Sequence, residues 1–123
     1  MEVLNEANAP TMSTPNAVMR IYASPSVNGA PVAVWRTDMR AGARGPRHAA
    51  SQDQVLIVLD GAASVDIDGT VLSLSRGDSL LLPRGLGRQV SCAAETLSTL
   101  TCGLPAAEAT VQGQDPVPIP WTR

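Results

Sequence analysis

The chain has 123 residues, 44% hydrophobic and 16% charged, which suits one globular domain and leaves no room for two. Nine basic against eleven acidic residues give a formal charge of -2, and only Tyr22, Trp35 and Trp121 are aromatic. Nucleic-acid binding, which needs a basic surface and stacking rings, is therefore not expected.

All nine basic residues are Arg, which excludes a Schiff-base lysine and a lysine-anchored phosphate loop. The longest apolar run, Val55–Leu59, is too short to cross a bilayer. Met1–Glu6 is acidic and lacks the charged-then-apolar layout of a signal peptide. A cytoplasmic location without membrane contact is expected. Cys92 and Cys102 match neither a zinc spacing nor a disulfide scaffold and read as buried free thiols.

Residues 1–16 are rich in Asn, Ala, Pro and Thr and read as a flexible tail. Short apolar segments follow at Ala17–Tyr22, Val32–Arg36, Gln54–Leu59 and Ala63–Ile67. Four more lie at Val71–Leu74, Ser79–Leu82, Gly87–Cys92 and Thr96–Cys102. Turn signals separate them: Asn28-Gly29, Asp60-Gly61, Arg76-Gly77-Asp78 and Pro83-Arg84-Gly85. Asp68-Gly69, flanked by Val65, Ile67, Val71 and Leu72, is the strongest hairpin signal. No window sustains a capped apolar stripe at helical spacing. Many short, evenly spaced strands predict an all-β sandwich or barrel over residues 17–104. Residues 105–123, with Pro116, Pro118 and Pro120, predict an edge strand or a strap whose Trp121 plugs a surface groove.

Two glycine- and proline-framed patterns stand between Ala41 and Cys92. In the first, Gly42 precedes His48 by six residues, Gln54 follows, and Gly61 closes the pattern. In the second, Gly77-Asp78, Pro83 and Gly85 lead to Arg88 and Cys92. The stretch resembles a cupin, whose motifs run G-x5-H-x-H-x3/4-E-x6-G and G-x5-P-x-G-x2-H-x3-N. The resemblance implies a double-stranded β-helix, the jelly-roll barrel of that family. Gly61 and Gly77 suit tight corners that need positive φ or close backbone approach. Asp78 suits a turn cap.

The same resemblance implies where a metal would sit, and there the chain departs from the family. The four ligand positions carry His48, Ala50, Gln54 and Arg88. Alanine cannot ligate, and arginine is a permanent cation. One imidazole and one amide fall short of the usual three protein ligands. Neither metal nor other cofactor is expected.

Strand alternation turns His48, Ala50, Gln54, Leu56 and Val58 inward, and likewise Arg88, Val90 and Cys92. His48 and Arg88 are the candidate catalytic pair, as proton shuttle and anion stabiliser. Gln54, Cys92, Leu56, Val58, Val90, Trp35 and Arg47 are the candidate substrate-binding residues. A decayed site, with His48 and Gln54 bonded to each other and Arg88 reaching for the barrel mouth, is the structural alternative. Arg36, Arg40, Arg44 and Arg47 form either an anion-attracting cluster or a solvated loop that Asp38 and Asp53 neutralise.

The resemblance thus implies a metal-independent enzyme that cyclises, isomerises or eliminates by proton transfer. Its substrate would be a small anionic or carbonyl-bearing intermediate of the polyketide kind. A non-catalytic small-molecule binder is the alternative. So is a nucleotide-sugar ketoisomerase-like enzyme, partly echoed by Arg44-Gly45-Pro46-Arg47-His48-Ala49 and Gln54. A metal oxygenase with unusual ligands ranks last. Both faces of Val55–Leu59 are apolar, so a homodimer that covers the outer one is expected.

Overall fold

The computed structural model describes residues 1–123. Ten strands form two antiparallel sheets, accompanied by one short α-helix. The strands are β1 (Thr11–Ser13), β2 (Val18–Ala23), β3 (Ala33–Arg40), β4 (Ala49–Ala50) and β5 (Gln54–Ile67). They continue with β6 (Thr70–Ser75), β7 (Ser79–Leu82), β8 (Gln89–Gly103), β9 (Glu108–Thr110) and β10 (Val117–Pro118). The larger sheet runs β1-β2-β3-β8-β5-β6, with β7 also paired to β5. The smaller runs β10-β9-β4. This all-β, antiparallel architecture is the jelly-roll expected from the sequence.

Four of the expected short strands are in fact halves of two long ones. Gln54–Leu59 and Ala63–Ile67 join as β5, and the two segments between Gly87 and Cys102 largely join as β8. Asp60-Gly61 is therefore a bend inside a strand, not a turn between two. The β5–β8 register shifts between Val58 and Asp60 and again between Gly61 and Ala63. Gly61 adopts φ +79° at that corner, and a Cβ there would stand 1.9 Å from the Thr96 carbonyl oxygen. Only glycine lets the two strands turn the corner together. The core then fills with Leu56 and Val58 before the bend, Ala63 and Val65 after it, and Met39, Leu74, Leu82 and Leu97 around them.

Asp68 (φ 51°) and Gly69 (φ 86°) make the tight β5–β6 hairpin, with Ile67 opposite Thr70. Asp78 caps its corner by accepting the Ser75 N–H at 2.7 Å. One helical turn escaped the sequence reading. Pro25–Asn28 forms α1, with the Ser24 hydroxyl accepting the Val27 N–H and Gly29 left-handed at its end.

Residues 1–16, read as a flexible tail, carry β1, which pairs with β2 from Thr11↔Arg20 to Ser13↔Val18. Ala9 is buried and Glu6 accepts a hydrogen bond from Tyr22. Its backbone groups find partners although its side chains show no apolar pattern. The Pro-rich end forms β9 and β10 and a last turn, Pro120–Thr122. Trp121 packs against the Met19, Ala33 and Trp35 cluster on one side and against the Ala50, Ala107 and Ile119 cluster on the other. The strap thereby ties β3 to the β4 sheet. No helix is long and apolar enough to cross a membrane.

Candidate functional site

His48 and Arg88 are cross-strand partners. Each backbone N–H donates to the other's carbonyl at 2.9 Å, so both side chains project on one side of the ladder. Arg88 is 2% exposed and reaches across the interior to Gln54. Its Nη2 donates to Gln54 Oε1 at 2.6 Å, and its Nη1 to the Leu86 carbonyl at 3.4 Å. Gln54, 4% exposed, starts β5 beside Leu82 of β7 and Gly103 of β8. Glutamine and arginine thus meet inside the barrel, and the half-buried His48 projects on the same side of the ladder as Arg88.

Arg88 has no carboxylate partner. Burial pushes its pKa down to about 10, which still leaves it a cation at neutral pH. A buried cation served only by neutral oxygens is costly, and an anion beside it lowers that cost. The Leu86 carbonyl and Gln54 hold it in place, so it does not reach for the mouth.

His48 is half-buried, and its Nδ1 lies 3.0 Å from the Pro46 carbonyl oxygen. A carbonyl only accepts, so Nδ1 carries the proton and Nε2 keeps a free lone pair. Burial, and secondarily the positive charge of Arg88, lower the His48 pKa below its ordinary 6.5, against the opposing Pro46 bond. The ring is neutral at pH 7. The Pro46 carbonyl, and not Gln54, fixes its tautomer, and Gln54 is bonded to Arg88 instead of His48.

Gln54 can accept from Arg88 only through its oxygen, so its orientation is set and its Nε2 amide faces away. No fully enclosed side-chain nitrogen or oxygen lacks a partner. The unbonded Gln54 amide nitrogen therefore touches accessible space. The site presents donors from Arg88 and Gln54 and one acceptor, His48 Nε2.

The other expected binding residues divide. Leu56 and Val58 are buried on the inner face of β5, and Val90 packs beside Val65 at the edge of the core. Trp35 is 5% exposed and faces inward beside Thr101. Cys92 does not join the trio. It lies opposite Ala63, past the bend from Gln54, with its Sγ bonded to the Ala94 carbonyl. Both thiols are free and only half-buried, where full burial was expected. Arg47 points outward to pair with Asp66 at 2.9 Å. Arg36 is bonded to Asp38, whereas Asp53 caps the Arg84 N–H. Thr99 and Thr101, at 3% and 6% exposure on the inner face of β8, were not singled out from the sequence. Their alternation with Leu97 was the available signal. Two surface grooves lie elsewhere, over Asn16, Arg40 and Arg44, and contain none of the trio.

The family's metal-binding positions do not fit a metal here. Ala50 offers no donor, and the Arg88 guanidinium already occupies the one oxygen that Gln54 could offer. No three His, Cys, Asp or Glu side chains converge anywhere in the structure.

The cupin-domain family profile matches residues 35–102. Among solved structures, the polyketide cyclase RemF from Streptomyces resistomycificus aligns with 94% of this chain and 89% of its own, at 14% identity and a TM-score of 0.75. An RmlC-like cupin from Shewanella frigidimarina covers 86% and 92%, at 19% identity and a TM-score of 0.73. KdgF from a Halomonas species covers 84% and 94%, at 20% identity and a TM-score of 0.69. No functionally curated protein matches the sequence. Structures this distant share the fold and nothing finer. The profile, spanning more than half the chain and both glycine-framed motifs, makes this protein a member of the cupin family.

Proposed function

We propose that the barrel holds a small anionic or carbonyl-bearing molecule and moves a proton on it without a metal, so that it isomerises, cyclises or eliminates. The observation that carries this is Arg88: a buried cation with no carboxylate, cross-strand from a neutral histidine whose Nε2 is free. The likeness in fold to a polyketide cyclase is consistent with it.

The chemistry follows from the three groups. His48 Nε2 takes a proton from the carbon next to a carbonyl and becomes imidazolium. The electron pair left on that carbon delocalises onto the carbonyl oxygen. Arg88 donates to that oxygen in a low-dielectric site, where such bonds count most, and the Gln54 amide is left to donate to a second oxygen of the molecule. Returning the proton to a different carbon gives an isomer. If the carbanion attacks a second carbonyl of the same molecule instead, a ring closes and the imidazolium protonates the new alkoxide. Atoms balance in both routes, and His48 ends as it began.

Acetoacetate in D2O is a direct probe. The protein is expected to speed deuterium exchange at its C2 position, read by proton NMR. His48→Ala should slow that exchange by about two to four orders of magnitude, the usual range for a lost general base. Arg88→Leu should cost about 3 kcal/mol of transition-state stabilisation. Arg88→Lys keeps charge but loses the planar fork and should fall between. Exchange at the solvent rate, or unchanged by His48→Ala, would remove the catalytic reading.

A further inference from the structure

Thr99 and Thr101 sit at the centre of the inner face of β8, at 3% and 6% exposure. Thr101 aligns with Trp35 and Leu56, and Thr99 aligns with Thr37 and Val58. Gly103, the next inward position on β8, aligns with Gln54. Neither threonine hydroxyl makes a side-chain hydrogen bond, yet no fully enclosed polar atom lacks a partner. Each hydroxyl therefore keeps some accessible surface on the inner face of β8. Strand propensity does not explain them, because valine has the same branched shape and serves a strand equally well. Valine would also need no partner in a buried position.

Side chains on one face of a strand recur every second residue, about 6.6 Å apart. Oxygen-binding groups thus step inward from Gln54 and Arg88 to Thr101 and then to Thr99. We propose that Thr101 and Thr99 form a second polar subsite, which holds the distal oxygens of an elongated acid or enolate whose charged end lies on Arg88. The inference rests on the reading of Arg88 as an anion site and adds the substrate's shape: a chain with oxygens at intervals along it. A threonine hydroxyl both donates and accepts, so keto and hydroxyl oxygens are both suited.

Calorimetric titration of two acids tests it. Acetoacetate reaches only Arg88 and Gln54, whereas 3,5-dioxohexanoate extends one further inward step, to Thr101. The wild-type protein is expected to bind the longer acid at least tenfold more tightly. Thr99→Val/Thr101→Val should abolish that preference, leave acetoacetate binding unchanged, and keep or raise the Tm. Thr99→Ser/Thr101→Ser, which retains the hydroxyls, should keep the preference. If the valine variant keeps the preference, the subsite is wrong while the Arg88 site stands. If its Tm falls and the serine variant restores it, the hydroxyls are structural and the proposal is overturned. If neither acid binds wild-type protein in a manner that Arg88→Leu abolishes, the anion site itself fails and the subsite falls with it.

Discussion

His48 and Arg88 constrain each other through charge. Both are paired through their backbones, and burial and the arginine's charge both lower the histidine's pKa. The sign of the stability effect follows. The unfolded chain takes up the proton first as pH falls through about 6.5, so His48 lowers stability from there down to its folded pKa. Above about 6.5 its contribution is constant. An NMR titration should place the His48 midpoint below 6.5, and Arg88→Leu should move it upward. A midpoint at or above 6.5 in the wild-type protein would contradict the buried geometry. Arg88 itself stays protonated in both folded and unfolded states up to about pH 10, so its burial is a constant cost over the physiological range.

At this scale the sequence was partly legible. The fixed spacing from Gly42 and Gly85 located His48, Gln54 and Arg88, because a strand that starts at a known corner has a known parity. Arg47, expected among the substrate-binding residues, instead faces out toward Asp66, as its place next to His48 on the alternating chain requires. Cys92 shares the right parity but lies too far along the strand, and parity carries no information about depth. Thr99 and Thr101 passed unnoticed because threonine in a strand is ordinarily unremarkable.

Among elements, the bend in β5 is the most demanding. Gly61 and Gly77 both have positive φ, but only Gly61 faces backbone, whereas a Cβ on Gly77 meets nothing within 4 Å. Gly77→Ala should cost about 1 kcal/mol for the left-handed backbone alone. Gly61→Ala adds the collision with Thr96 and should cost several-fold more, with the difference read from urea unfolding midpoints. Equal costs would mean that β5 and β8 can separate at the corner. The sequence marked this glycine as a corner but not as a continuous strand, since a bulge and a turn use the same residues. The hairpin at Asp68-Gly69 was legible because its two left-handed residues are a local requirement. β1 was not, because three exposed residues paired only through their backbones leave no pattern of burial.

For the whole molecule, the outer side of the larger sheet is the surface that bears on assembly. Val34, Cys102, Val55 and Leu81 align across four strands, and Leu100 and Ile57 follow in the next row. Leu81 is 58% exposed, and Val55 and Leu59 are each 38% exposed. A second copy covering this face is the expected arrangement. Light scattering at micromolar concentration should give a dimer mass, and Ile57→Asp should halve it. A monomeric wild-type mass would remove the dimer.

The long ladder between β5 and β8 also sets an order of events in folding. Its partners are distant in the chain, with Gln54 opposite Gly103, whereas the β5–β6 hairpin closes over two residues, Asp68 and Gly69. Local closure comes early and distant pairing late, because loop closure must be met before distant contacts return anything. Arg88 can reach Gln54 only when the two ends of that ladder have come together. Until then its guanidinium remains in water. The dehydration of the charge is thus concentrated in the last stage of closure, and the group best placed to hold an anion is also a brake on the refolding rate.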